Sequence, residues 1–165
     1  MKKYEEQHVT VDIVISAYNF PYPLKVLLIK RKNEPFKDQL AIPGGYLNAN
    51  ETLEDAAYRE LEEETSLSKA NLKTLKKSGG RAAIGQFHTY GDPGRDPRGR
   101  IISVVYTFLV PYNEKLISMV KASDDAKEAK WFELDHLPDI MAFDHAKILR
   151  DIKTDLEKTS EPSKN

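Results

Sequence analysis

Seven acidic side chains crowd the stretch from Glu51 to Glu64, shortly after the tripeptide Pro43-Gly44-Gly45. From Thr52 to about Thr65 there is no Gly or Pro, and Ala, Leu and Glu dominate, which predicts a helix. Asn50 or Thr52 supplies the N-cap, and acidic residues in the first turn complement the helix dipole. Acidic helices are usually solvated, but the phasing here argues otherwise. At about 100° per residue, Glu60, Glu63 and Glu64 fall within an arc of about 100°. The same side carries Leu53, Ala56, Ala57 and Leu67, whereas Glu62 faces away. Three carboxylates on a packed side repel one another and lose hydration. Arg59 can orient one of them, but a single guanidinium does not neutralise three. A hard divalent cation does, because Mg²⁺ favours carboxylate and water oxygens. The two glycines let the backbone approach a ligand closely, and the Gly45 carbonyl adds an oxygen donor. Residue chemistry therefore points to a metal site.

The rest of the 165-residue chain narrows the setting. Twenty-five basic and 26 acidic residues leave a net charge of -1, which argues against a polybasic nucleic-acid binder. The absence of cysteine excludes disulfides, thiolate-bound zinc and thiol nucleophiles. The start is charged, and Asp12 breaks the apolar run after it, unlike a signal peptide. No stretch approaches the roughly 18 apolar residues of a membrane span. The expectation is a cytoplasmic protein with neither membrane nor nucleic acid as partner.

Strands are predicted over 9–16, 24–31, 81–90, 101–110 and 129–134, with a final helix from Asp144 to about Lys158 and a polar tail over 159–165. Residues 91–100 are rich in turn formers and read as a loop. Strands and helices mix without a βαβ repeat, so the class is α+β, or an α/β/α sandwich on a mixed sheet, as a single domain over 1–158.

The spacing Gly45-x5-Glu51-x7-Arg59-Glu60-Leu61-x-Glu63-Glu64-x-Ser66-Leu67 resembles the Nudix box, G-x5-E-x7-R-E-U-x-E-E-x-G-U, where U is aliphatic. Every charged position matches. Ser66 replaces the last glycine, which belongs to the turn after the helix, so modest backbone strain is expected there. The resemblance implies a Nudix-type α/β/α sandwich on a mixed β-sheet. It also implies hydrolysis of a nucleoside diphosphate derivative with Mg²⁺ or Mn²⁺. Carried over by position, Glu60, Glu63 and Glu64 would ligate metal, Arg59 would orient them, and Glu51 would support the helix through Arg59. Glu64 and Glu128 are the leading candidates for the general base, with Asp124 and Asp125 in the same later segment.

Segments outside the box are similar to the ADP-ribose pyrophosphatase branch and to Nudix-related regulators that sense ADP-ribose-like ligands. They are 40–47, with Leu40 where many relatives carry Trp, and 86–91, 95–100 and 142–145. On that resemblance Arg95, Arg98 and Arg100 would contact phosphate or the terminal ribose, and Phe87 and Tyr90 would line the substrate pocket. For Phe87 sheet packing is the competing reading. His145 is either a helix N-terminal residue with Asp144 as cap or a residue beside the site. The expected reaction is Mg²⁺-dependent cleavage of ADP-ribose to AMP and ribose 5-phosphate. The alternatives are another nucleotide substrate, such as an oxidised nucleoside triphosphate or a dinucleotide polyphosphate, and a ligand-sensing regulator without catalysis. The regulators add a winged helix-turn-helix, for which the roughly 20 residues after His145 are too few. A homodimer is the family expectation.

Overall fold

The two longest strands organise the molecule. In the computed structural model, which describes residues 6–19, 22–77 and 85–160, β1 (His8–Asn19) and β6 (Ile101–Pro111) lie parallel along eleven register pairs, from His8 beside Ile101 to Tyr18 beside Pro111. Their β-branched side chains favour a pleated, buried surface. β2 (Tyr22–Arg31) pairs antiparallel with β1 on one edge and with β7 (Ala126–Glu133) on the other, while β5 (Gly85–Tyr90) closes the far side against β6. The sheet is therefore mixed.

Side-chain alternation divides the core into two layers. Val11, Ile13, Ile15 and Ala17 join Val104, Tyr106, Phe108 and Val110 against Ala56, Ala57 and Leu61 of α1 (Leu53–Thr65) and Leu72 of α2 (Lys69–Lys77). Leu116 of α3 (Glu114–Met119) completes that layer. On the other face Val14, Val26, Leu28 and Val105 pack against Ile148, Leu149 and Ile152 of α4 (His145–Ser160). This is the expected α+β sandwich, with helices on both faces of a mixed sheet. No helix among the described residues is long and apolar enough to cross a membrane.

The feature that builds the site is a wedge. β1 and β2 pair only between the end of β1 and the start of β2, through Ser16–Val26, Ala17–Lys25 and Asn19–Tyr22, and then diverge. Residues 40–46 fill the gap. β3 (Leu40–Ala41) pairs with β2, β4 (Gly44–Tyr46) pairs with β1, and the Ile13 N–H donates to the Pro43 carbonyl at 2.8 Å between them. The sequence predicts no strand over 40–46, because neither strand is long enough to show periodicity.

Most other boundaries agree within a few residues. Of the strand predicted over 81–90, residues 81–84 lie outside the described residues, as does most of the polar tail. β7 begins at Ala126 rather than 129. The helices α2 and α3 were not anticipated. A reciprocal cap marks α2, in which Ser68 Oγ accepts the Asn71 N–H at 3.2 Å and Asn71 Oδ1 accepts the Ser68 N–H at 2.9 Å.

Candidate active site

Thr52, one of the two candidate caps, starts α1: its side chain accepts the Asp55 N–H at 3.1 Å. The helix then turns a graded set of carboxylates toward a cavity of about 310 Å³. Glu64 is buried, the Glu60 side chain is 13% exposed and that of Glu63 is 42% exposed. The packed face is centred nearer Ala57 and Leu61 than the phasing of the acids alone suggests, which puts Glu63 at its rim.

Arg59 ties this array together. Its Nε and Nη2 form a bidentate pair with Glu51 at 2.9 and 2.6 Å, and Nη2 also donates to the Tyr46 carbonyl at 2.9 Å. Nη1 donates to Glu60 at 2.7 Å and Glu63 at 3.0 Å. Glu51 additionally accepts the Asn48 N–H at 2.6 Å, and with Arg59 beside it the carboxyl is held down to about 2. The single guanidinium thus engages three acids and leaves Glu64 to itself. Burial, reinforced by Glu60 and Asp12, pushes Glu64 up to about 8 despite the N–H that Gly44 donates to it at 2.9 Å. Burial also raises Glu60.

Gly44 is required by backbone packing, and Gly45 leaves room for the Glu60 carboxylate. A Cβ at Gly44 would stand 2.2 Å from the Val11 carbonyl oxygen, and one at Gly45 would stand 2.3 Å from a Glu60 carboxylate oxygen. Close backbone approach was the expected use of the pair. The wedge is also pinned from both helical layers, by Glu64 through Gly44 and by His145 of α4, whose Nδ1 accepts the Ile42 N–H at 2.9 Å. That bond assigns the ring proton to Nε2, which lies 3.5 Å from Asp12 Oδ1, and complete burial holds the imidazole below its ordinary value.

Asp12, read from sequence only as a break in an apolar run, is a central buried acid that accepts from the Ser103 hydroxyl. Its signal was present: it is the sole charge in a strand otherwise fit for the core.

The structure separates the expected substrate contacts. Arg98 lines the cavity, paired bidentately with Asp96 at 3.0 and 2.7 Å. Arg95 also reaches the cavity, but its side chain is 4% exposed and clamps Asp144 at 2.9 and 2.6 Å. Asp144 therefore spends its carboxylate on the 91–100 loop rather than on capping α4. Arg100 donates to the Gly91 carbonyl at the base of that loop, outside the cavity. Phe87 packs against the α4 layer, and Tyr90 is buried there with its hydroxyl donating to Asp151 at 2.9 Å; neither lines the main cavity. Glu128 sits in β7, ahead of the strand start predicted at 129, beside Lys30 and bonded to Lys130, also away from the cavity. Asp124 and Asp125 do line it, and so does Arg31, which sequence reasoning missed because it reads as the polar end of a strand.

The donor set suits a hard divalent cation, although no three carboxylates or imidazoles among the described residues already converge on one ligating point. Glu60, Glu63 and Glu64 each keep one carboxylate oxygen without a hydrogen-bond partner among those residues. Oxygen-only donors in a partly solvated cavity are the chemistry Mg²⁺ and Mn²⁺ take.

Comparison with known proteins agrees with this geometry. A family model described as the NUDIX domain matches residues 6–152. The chain is 43% identical over 154 residues to an ADP-ribose pyrophosphatase of Methanocaldococcus jannaschii, covering 92% of this chain and 78% of that protein. It is 28% identical over 150 residues to the ADPR responsive transcriptional repressor NtrR of Acinetobacter baylyi, covering 89% of this chain but only 53% of the repressor. Among solved structures, the NUDIX domain of Shewanella oneidensis NrtR complexed with ADP ribose superposes with a TM-score of 0.74 at 30% identity, covering 93% of this chain and 90% of that one.

Proposed function

The chain belongs to the NUDIX family, and on that premise we propose that it is a metal-dependent pyrophosphohydrolase cleaving ADP-ribose to AMP and ribose 5-phosphate. The observation that carries the reading is the meeting, in one cavity, of the α1 carboxylates with the guanidinium groups of Arg31 and Arg98. Acids suit a cation and arginines suit phosphate oxygens, so a diphosphate with its counter-ion satisfies both. The choice of ADP-ribose is supported by the 43% identical pyrophosphatase and by the ADP ribose complex of the NrtR domain.

In this reading the Gly45 carbonyl and Glu60, Glu63 and Glu64 hold Mg²⁺ or Mn²⁺. A bound divalent ion screens phosphate charge, polarises phosphorus and lowers the pKa of an attacking water. Arg59 fixes the rotamers of Glu60 and Glu63, and Glu51 anchors Arg59 in turn. The water oxygen bonds to one phosphorus, the bridging P–O bond breaks, and the leaving phosphate carries away the electron pair. Little covalent work remains for the protein, so no side-chain nucleophile is required. The water's proton passes to a carboxylate within hydrogen-bond reach. Glu64 is engaged by the Gly44 N–H and the ion, and Glu128 lies away from the cavity, so we assign that role to the Asp124–Asp125 pair, which borders it. A cytoplasmic homodimer is part of the same proposal.

Purified protein with Mg²⁺ is expected to release AMP from ADP-ribose, faster than from oxidised nucleoside triphosphates or dinucleotide polyphosphates. Glu63→Gln should lose on the order of a hundredfold or more in kcat with its Tm nearly intact, because Glu63 is the rim carboxylate. No turnover of any nucleoside diphosphate derivative would end the proposal. The likeness to the repressor supports a second reading, ADP-ribose sensing without hydrolysis. The complete Glu60, Glu63 and Glu64 set favours turnover, and the same AMP assay decides between them.

A further inference from the structure

A buried polar chain ties α4 to β1 and to the wedge. Asp12 of β1 and His145 of α4 are both buried, and both border the main cavity. Asp12 accepts the Ser103 hydroxyl on Oδ2, and its Oδ1 faces the His145 Nε2 at 3.5 Å. On its other side the imidazole presents Nδ1 to the Ile42 N–H at 2.9 Å, which joins residues 103 positions apart. The Asp12 carboxylate also lies close under the wedge, because a Cβ on Gly44 would stand 2.6 Å from Oδ1. Burying an acid and an imidazole costs free energy that an apolar pair would not. Partnered polar networks of this kind rigidify the segments they join.

The segment held by this imidazole leads straight to donors of the site. Pro43 accepts the Ile13 N–H at 2.8 Å, Gly44 donates to Glu64 Oε2 at 2.9 Å, and the Gly45 carbonyl follows. The wedge strands are two and three residues long, so their own ladders fix them weakly. Side-chain anchors from the helices therefore matter to where Gly44 and Gly45 sit. Glu64 is one anchor, but it also faces the cation in the reading above. His145 is the anchor that does not. Ile42 is buried, so without His145 its N–H is left unsatisfied.

We propose that His145 is a positioning residue for the metal site: by accepting the Ile42 N–H it fixes the backbone over 42–45, so that Glu64, through the Gly44 N–H, and the Gly45 carbonyl stay aimed into the cavity. The proposal deepens the reading above and rests on the α1 carboxylates being metal ligands. His145 touches neither ion nor substrate in this role. Asp12 favours the proton on Nε2, which leaves Nδ1 bare to accept. Loss of the Ile42 bond should weaken metal binding and slow turnover while sparing substrate affinity. A role in core packing alone does not produce that pattern.

The test is calorimetric titration with Mn²⁺ of two variants that divide the imidazole. His145→Asn keeps an acceptor oxygen where Nδ1 stands, whereas His145→Gln carries its amide to the Nε2 position and leaves the Ile42 N–H without a partner. His145→Gln is expected to bind Mn²⁺ about tenfold more weakly than wild type or worse, and His145→Asn within about threefold of wild type, the scale of partners that orient metal ligands. In AMP release from ADP-ribose, His145→Gln should lose about tenfold in kcat with KM changed by less than about threefold. Ile152→Val, buried about two turns further along α4, should lower the Tm and leave Mn²⁺ affinity unchanged. By linkage, Mg²⁺ should also slow hydrogen exchange at the wild-type Ile42 amide, a readout that needs no variant. Wild-type Mn²⁺ affinity in folded His145→Gln, equal losses in both His145 variants or in Ile152→Val, or an Ile42 amide indifferent to Mg²⁺ would overturn the proposal. A wild type that binds Mn²⁺ in this His145-dependent way yet releases no AMP from ADP-ribose would remove the substrate assignment and leave the positioning role standing.

Discussion

Arg59 and Glu64 divide the electrostatic work of the site. Arg59 satisfies the acids that reach it, and Glu64, buried and met by the Gly44 N–H of the wedge, carries the larger cost of burial. Its folded-state pKa of about 8 lies above the 4.5 of an ordinary glutamate, so between those values the folded protein holds a proton that the unfolded chain has released. Stability of the metal-free protein should therefore fall as pH rises through that window. In chelator, the Tm of wild type is expected to drop between pH 7 and 9, above the range in which His145, held low by burial, acts with the opposite sign, and Glu64→Gln should flatten the drop and melt higher than wild type at pH 9. A variant that melts lower at both ends would mean the carboxylate is compensated in a way these contacts do not show. The convergence of Arg59, Glu60, Glu63 and Glu64 on one cavity was legible because each combines a charge with a helical phase. Asp12 and Arg31 were not, since each stands alone in a strand and acquires meaning only from neighbours brought in by other segments.

At the scale of elements, α1 illustrates what propensity and capping rules reach. Its N-cap, first-turn acids and length follow from the sequence, and so does the strain at its end, where Ser66 closes the helix at φ 62 with its N–H bonded to the Glu62 carbonyl. A left-handed residue with a Cβ costs about 1–2 kcal/mol. Part of that is offset, because glycine loses more entropy on folding and would forgo the 3.2 Å bond from the Ser66 hydroxyl to the Lys121 carbonyl. Ser66→Gly is expected to raise stability by about 0.5 kcal/mol and to leave AMP release unchanged. Chemical denaturation would show this as a higher midpoint at constant slope, and a lower midpoint would contradict it. The wedge, by contrast, was hidden. Strands of two and three residues carry no period, and only the divergence of β1 from β2 gives them a place. The start of β7 was missed for a related reason, since the charged residues before Trp131 show no apolar alternation and become a strand only by pairing with β2.

Across the whole molecule the two helical layers meet at one point. Glu64 from the α1 side and His145 from the α4 side hold the Ile42–Gly44 segment between them, and the 91–100 loop is locked to the start of α4 by Arg95 and Asp144. The fold class and the acidic half of the site could be read in advance, because helix periodicity and the box spacing are local. The arginine-lined half could be read only at Arg98, because Tyr46, Phe143 and Arg31 reach the same cavity from segments as much as 112 positions apart in the chain. The central claim is that this convergence creates a site for a divalent cation on the α1 carboxylates. Titration of Mn²⁺ followed by the electron paramagnetic resonance of the free ion tests it most directly. Wild-type protein should deplete the free signal, and a variant carrying Glu60→Gln and Glu64→Gln together should bind on the order of tenfold more weakly or worse. Equal depletion by the two proteins, or none by wild type, would contradict the account.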